Sequence, residues 1–69
     1  MKNIYELAIM DISDVDTAEK TQKAWNERKF MRFKGLDAVW DYLGCKLPRC
    51  RCGWCGYDNH FDYTLIRVS

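Results

Sequence analysis

The chain has 69 residues, of which 48% are hydrophobic and 30% are charged, and its formal net charge is +1. This composition is typical of a globular protein, and the length allows a single domain, residues 1–69. No stretch approaches the roughly 20 apolar residues of a membrane span, and the first residues lack the apolar segment of a signal peptide. We therefore expect an intracellular, cytoplasmic protein in a reducing compartment, with no membrane partner.

The small net charge conceals two blocks of opposite sign. Residues 1–19 hold five acidic residues and one lysine, whereas residues 20–34 hold six basic residues and one acidic residue. Such asymmetry steers a protein toward a charged partner, or it is neutralised where the two blocks lie side by side in the fold. The sequence leaves both interpretations open.

The first predicted elements are a strand and a segment with two interpretations. In the strand from Ile4 to Ile12, Tyr5, Leu7 and Ile9 alternate on one face; apolar residues on the other face indicate an interior strand. Residues 16–28 begin with the spacing of a capping box, which predicts a surface helix anchored by Trp25. The apolar side of this helix is thin, so a long charged hairpin loop is the alternative.

A short aromatic strand at Phe30–Phe33 and a helix at Leu36–Leu43 come next. The helix has a stripe of apolar residues at helical spacing, and Gly44 supplies a left-handed end. Residues 45–60 contain proline and glycine and are expected to be irregular, and Phe61–Val68 should form a last strand antiparallel to the first. The predicted fold is α+β, a small, mainly antiparallel sheet with one or two short helices and a cysteine-rich loop before the last strand.

This loop carries all four cysteines of the chain: Cys45, Cys50, Cys52 and Cys55. At this density in a reducing compartment, cysteines indicate metal ligands before disulfides. The two residues between Cys52 and Cys55 allow a tight turn that points both sulfur atoms at one ion about 2.3 Å away. The glycine that follows Cys55 lets backbone N–H groups turn toward the thiolates.

The segment Cys52-Gly53-Trp54-Cys55-Gly56 resembles the knuckle of zinc ribbons and rubredoxin-like sites. The resemblance is confined to residues 45–60 and implies a metal module with one structural zinc ion rather than a named family. A structural zinc ion takes four ligands, and a site made of all four cysteines is the simplest. Such an ion would supply the stability that a domain of this size lacks.

His60 is the alternative ligand. The run from Cys52 through Cys55 to His60 is similar to the first three ligands of a retroviral-type zinc knuckle. That family would place its last cysteine at position 65, where this chain has Leu65, so Cys50 or Cys45 would have to supply the fourth ligand. We prefer the all-cysteine site, because a single histidine beside aromatic residues is more often a hydrogen-bonded group than a ligand.

Two other roles for the cysteines are disfavoured. Cys52 and Cys55 have the spacing of a thioredoxin-type redox pair, but turn residues follow them instead of the helix that lowers the pKa of the reactive thiol in such sites. Two disulfides would require export.

The sequence predicts a binding protein rather than an enzyme. Four sulfur ligands leave no position for a water molecule on zinc, and no catalytic pattern is recognised. The loop carries residue types that anchor protein interfaces, namely Arg49, Arg51, Trp54 and Tyr57. We expect a protein partner and no small-molecule substrate; by analogy of size alone, phage and mobile-element inhibitors of host or defence complexes are proteins of this kind.

The alternative function is that of a zinc knuckle that binds single-stranded nucleic acid. Trp54 and Tyr57 could stack on bases while the neighbouring basic residues contact phosphates. Basic residues around a zinc tetrathiolate also serve to offset its negative charge. The near-neutral charge of the chain favours a protein partner, because dedicated nucleic-acid binders are strongly basic.

Overall fold

A computed structural model describes residues 3–69 of the chain. Its elements are, in chain order, β1 (Ile4–Asp11), α1 (Ala18–Asn26), β2 (Lys29–Lys34), α2 (Leu36–Leu43), β3 (Arg49–Cys50), β4 (Gly53–Tyr57) and β5 (Phe61–Arg67). The strands form one antiparallel sheet in the order β2-β1-β5-β4-β3. The predicted α+β class is therefore confirmed. Neither helix of this range has the length or the apolar character needed to span a membrane.

Strand β1 is an interior strand, as its two apolar faces predict. It pairs with β2 on one side and with β5 on the other, where Leu7 lies opposite Leu65. Both leucines are fully buried. The predicted antiparallel pairing of the first and last strands is confirmed.

Helix α2 covers one side of the sheet, which we call the helical face. The helix begins and ends at the predicted residues, and Gly44 adopts a left-handed conformation at its end, with φ of 76°. Val39 is buried against the sheet. The core of the described chain consists of Tyr5, Leu7, Val39, Leu47 and Leu65.

The other side of the sheet is called the open face here. Side chains alternate along a strand, so residues between those of the helical face point to the open face; they include Ala8, Cys55, Asp62, Thr64 and Ile66. Because α2 packs on the helical face and α1 contributes no buried residue, these side chains remain half-buried.

Residues 18–26 form a helix, and the alternative of a hairpin loop is wrong. The N-cap is Thr17, whose hydroxyl oxygen accepts a hydrogen bond from the Lys20 N–H at 3.1 Å. The expected anchoring of the helix by Trp25 is also wrong, since this side chain is 53% exposed. The Arg28 guanidinium lies 3.5 Å from the centre of the Trp25 ring instead.

The prediction of an irregular segment at residues 45–60 is wrong as well, because β3 and β4 form a hairpin within it. Strand β4 pairs with β5, so that Cys55 lies opposite Thr64. A close approach at Gly53 makes this pairing possible, since a side chain there would overlap the Leu65 carbonyl oxygen. Pairing of β4 with β5, the strand that directly follows it in a second hairpin, outweighs the local preference of proline and glycine for loops.

Candidate metal centre

The β3–β4 hairpin brings three of the four cysteines together. Cys50 of β3 lies opposite Gly53 of β4, and Cys55 comes two residues after Gly53 in β4. The side chains of Cys50 and Cys55 therefore both point to the open face. Cys52 lies in the turn between the two strands. Its Sγ atom is 3.6 Å from the Sγ atom of Cys50.

The distance between these two sulfur atoms indicates free thiols at a spacing suited to a metal. A disulfide would bring them to about 2.05 Å, and the cysteines are not paired in this way. Two sulfur atoms bound tetrahedrally to zinc at about 2.3 Å stand about 3.8 Å apart. Cys50 and Cys52 are therefore close to the separation that a shared ion requires.

The pKa values of the three thiols depend on one another, and Cys50 is at the centre of this dependence. A bond with Cys55, and a weaker contribution from Cys52, lower the pKa of Cys50. The same bond with Cys50 raises the pKa of Cys55 to about 11, and the bond with Cys50 and its charge raise the pKa of Cys52. Ionisation of Cys50 is thus favoured, and its negative charge opposes ionisation of the other two thiols. A bound divalent cation would remove this opposition.

Cys45 lies apart from this cluster. It follows the end of α2, and its charge contributes, after burial and Asp58, to raising the pKa of Tyr63. Tyr63 is two residues from the buried Leu65 and points to the helical face. Cys45 is not among the groups that shift the pKa of the three clustered thiols.

His60 lies at the far end of the β4–β5 hairpin. Its N–H donates to the Asp58 carboxylate at 2.8 Å, and its carbonyl oxygen accepts from the Ile12 N–H at 2.9 Å. The hairpin therefore holds it beyond Tyr57, whereas Cys50 lies beside the opposite end of β4. Within residues 3–69, no set of three or more cysteine, histidine, aspartate or glutamate side chains already surrounds one metal position.

The four residues predicted to contact a partner are divided between the two sides of the sheet. The Arg49 guanidinium lies 4.5 Å from the centre of the Trp54 ring, and Trp54 packs edge-on against Tyr5 with ring centres 5.7 Å apart. Trp54 is therefore part of the helical face. Tyr57 is 82% exposed on the open face, and Arg51 is exposed in the β3–β4 turn.

A second exposed cluster of aromatic and basic residues lies where α1 meets β2. The Arg28 guanidinium lies 5.1 Å from the centre of the Phe30 ring in addition to its contact with Trp25. Phe30 is 54% exposed. The sequence predicts only that Phe30 lies in a strand, although the spacing of Trp25, Arg28 and Phe30 inside a basic block is a visible signal of this cluster.

Comparisons with known protein families, with curated proteins and with solved structures found no match to this chain. The resemblance of residues 45–60 to zinc ribbons and zinc knuckles thus stays a prediction.

Proposed function

We propose that this protein binds one zinc ion through Cys50, Cys52 and Cys55, and that the hairpin so stabilised forms part of a surface that binds another protein. The observation that carries this proposal is the convergence of three free thiols on the open face. Thiolates are soft ligands, which bind zinc in preference to hard cations such as magnesium and calcium.

The open face itself supports a protein partner. Half-buried apolar side chains lie along its middle, including Ala8 and Ile66. Phe30 and Tyr57, both more than half exposed, stand on either side of them. An apolar sheet face flanked by exposed aromatic residues is typical of a protein-binding surface.

The charge of the β2 edge indicates the kind of partner. Two basic residues of this edge strand, Arg32 and Lys34, point to the open face, and the ion pair between Arg32 and Glu6 at 3.3 Å offsets one of them. A protein with an acidic rim around an apolar centre would complement this face.

The zinc site is tested by metal analysis of the purified, reduced chain. We expect about one zinc ion per chain, a loss of tight binding in Cys50→Ser and Cys55→Ser, and retained binding in the control Cys45→Ser. Absence of zinc binding by the wild-type chain, or unchanged affinity in Cys55→Ser, would contradict the proposal.

The protein-binding surface is tested by affinity capture with matched variants. A true partner should bind the wild-type chain in fixed stoichiometry and should be lost with Met10→Asp, which places a charge on the open face. It should be retained with Asp37→Lys, an exposed position of α2. A partner that binds Met10→Asp as well as the wild-type chain, or background binding alone, would show that the open face is not the interface.

The cluster of Trp25, Arg28 and Phe30 favours single-stranded nucleic acid as a second candidate partner. Exposed aromatic rings beside arginine provide stacking platforms for bases, and Lys23 and Lys29 lie close by in the sequence. Binding to a labelled oligonucleotide should weaken steeply with salt and should fall in Trp25→Ala and Phe30→Ala. No binding at low salt would eliminate this candidate.

A further inference from the structure

The cysteine cluster lies at an accessible corner of the sheet. Strand β3 forms one of the two edges of the sheet, and the turn that carries Cys52 is exposed. A metal ion held by the three sulfur atoms would therefore stand at the edge of the open face, where a group from outside the chain can reach it. The core residue Leu47 and the sheet itself lie on the other side.

Two of the remaining donors of the chain are held away from this corner. The segment between Cys45 and the cluster is fixed by burial of Leu47 and by a hydrogen bond from the Cys55 N–H to the Pro48 carbonyl oxygen at 3.0 Å. Cys45 therefore stays on the side of the helical face. His60 is fixed beyond the other end of β4 by its bonds to Asp58 and to the Ile12 backbone.

Asp62 shares the open face with the cluster but lies toward the other end of β4. Its charge contributes to the raised pKa of Cys55, after the larger effects of Cys50, burial and Cys52. Asp62 pairs with Tyr57, however, and Cys50 pairs with Gly53, so the two residues flank opposite ends of β4. Four residues along a strand separate these ends by about 13 Å, too far for one ion to join Asp62 and Cys50.

We infer that the zinc ion of this site keeps one coordination position open, and that this position accepts an imidazole nitrogen or a thiolate sulfur from outside the chain. The inference rests on the proposed zinc function, and it requires that the partner carry a histidine or cysteine that can bind zinc. Zinc is tetrahedral, so three protein ligands leave one place for water or for an added ligand. A histidine or cysteine of the partner that reaches the corner of the open face displaces that water and makes binding dependent on the metal.

Cobalt(II) substitution in the full chain, kept reduced, tests the open position directly. Cobalt reports its ligands through visible d–d bands and through sulfur-to-cobalt charge-transfer absorbance. Adding imidazole should shift the d–d bands in a saturable way. Cys50→Ser, Cys52→Ser and Cys55→Ser should each lose about one third of the charge-transfer absorbance, because each removes one of three thiolates.

Cys45→Ser and His60→Ala are the matched controls. Both should show the wild-type spectrum and the wild-type response to imidazole. A spectrum that imidazole does not alter, or a loss of about one quarter of the charge-transfer absorbance in Cys45→Ser as expected of four thiolates, would overturn the open position and leave the zinc function standing. Failure of the wild-type chain to bind zinc or cobalt would remove both.

Discussion

Gly53 shows how tightly the chain is packed beneath the cysteine cluster. It is buried between Cys52 and Trp54, with φ of 152°, and the Leu65 carbonyl oxygen occupies the space that a side chain would take. The glycine thus lets β4 pair closely with β5. Its position also sets where Cys50 lies, because the two residues face each other across the hairpin.

Replacing Gly53 with alanine should therefore destabilise the fold strongly. The obstacle is backbone, which cannot move aside, so we expect a loss of about 3 kcal/mol in the free energy of unfolding. Gly56→Ala is the matched control: its added carbon meets the end of the flexible Leu47 side chain, and about 1 kcal/mol is expected. Urea denaturation measures both, and equal losses would contradict the role given to Gly53.

Asp58 adds a pH-dependent contribution at the other end of β4. Its carboxylate accepts hydrogen bonds from the backbone N–H groups of His60 and Phe61, both at 2.8 Å, and these bonds lower its pKa. The carboxyl group of Asp58 therefore binds its proton less tightly in the folded chain than in the unfolded chain. The resulting stability is present above the ordinary pKa of about 3.9 and is lost as the pH falls through the lower, folded value.

The expected result is a difference in melting temperature between the wild-type chain and Asp58→Asn that depends on pH. The wild-type chain should melt higher at about pH 6, and the difference should shrink as the pH falls below about 3.9 and through the lowered pKa of folded Asp58, where its carboxylate becomes protonated. Asp37→Asn, on the exposed side of α2, serves as the control. A difference that does not change with pH would mean that the charge of Asp58 contributes nothing.

Among the elements, α2 was the most predictable from the sequence. Its apolar stripe and Gly44 are local signals, and the helix has the bounds that they predict. Strands β1 and β5 were predicted for the same reason, since alternation of apolar residues is visible in one segment. The order of these elements was enough to give the α+β class.

The β3–β4 hairpin could not be predicted in this way. Strand β4 contributes one large apolar side chain to the helical face, Trp54, between two glycines, so its alternation is hardly visible. Strand β4 forms because it pairs with the edge of β5 that β1 leaves free. The candidate site is limited in the same way. The spacing of Cys52 and Cys55 predicts that they share a site, but where Cys45 and His60 lie relative to them depends on how β3, β4 and β5 pair.

Helix α1 provides a prediction at the scale of one element. Since none of its residues is buried, its cap supports the helix locally rather than the whole fold. Thr17→Ala removes the hydroxyl that accepts from Lys20 and should cost about 1 kcal/mol of helix stability. Amide hydrogen exchange should quicken in α1 and stay unchanged in the sheet, whereas substitution of the exposed Lys23 with alanine should alter neither. Faster exchange throughout the chain would contradict a local role.

At the scale of the whole molecule, the two charge blocks partly neutralise each other. Lys20 lies 3.3 Å from Asp14 and 3.1 Å from Asp16, and Arg32 pairs with Glu6. Such exposed pairs contribute little stability. Stability rests instead on a single helix packed against one face of the sheet, in an elongated molecule with extents of 43 × 21 × 21 Å. The proposed metal ion would add to the stability of a core this small.

Val39 provides the test of this arrangement, because it is the buried residue of α2. Val39→Ala should lower the free energy of unfolding by about 2 kcal/mol through lost contacts and a residual cavity. Val68→Ala removes the same atoms from an exposed position and should change it by less than about 0.5 kcal/mol. Urea denaturation without added metal measures both, and a loss in Val68→Ala as large as that in Val39→Ala would contradict the assignment of the core.

Zinc should compensate for the loss in Val39→Ala, because an ion that binds only the folded hairpin adds its binding free energy to folding. At a free zinc concentration of about one hundred times the dissociation constant, this contribution is about 2.7 kcal/mol, which exceeds the expected cost of the substitution. Repeating the denaturation of Val39→Ala with zinc should therefore restore at least the stability of the metal-free wild-type chain. The double variant Val39→Ala, Cys55→Ser should gain much less. Equal gains in the two proteins would place zinc binding elsewhere than at the Cys50, Cys52 and Cys55 cluster.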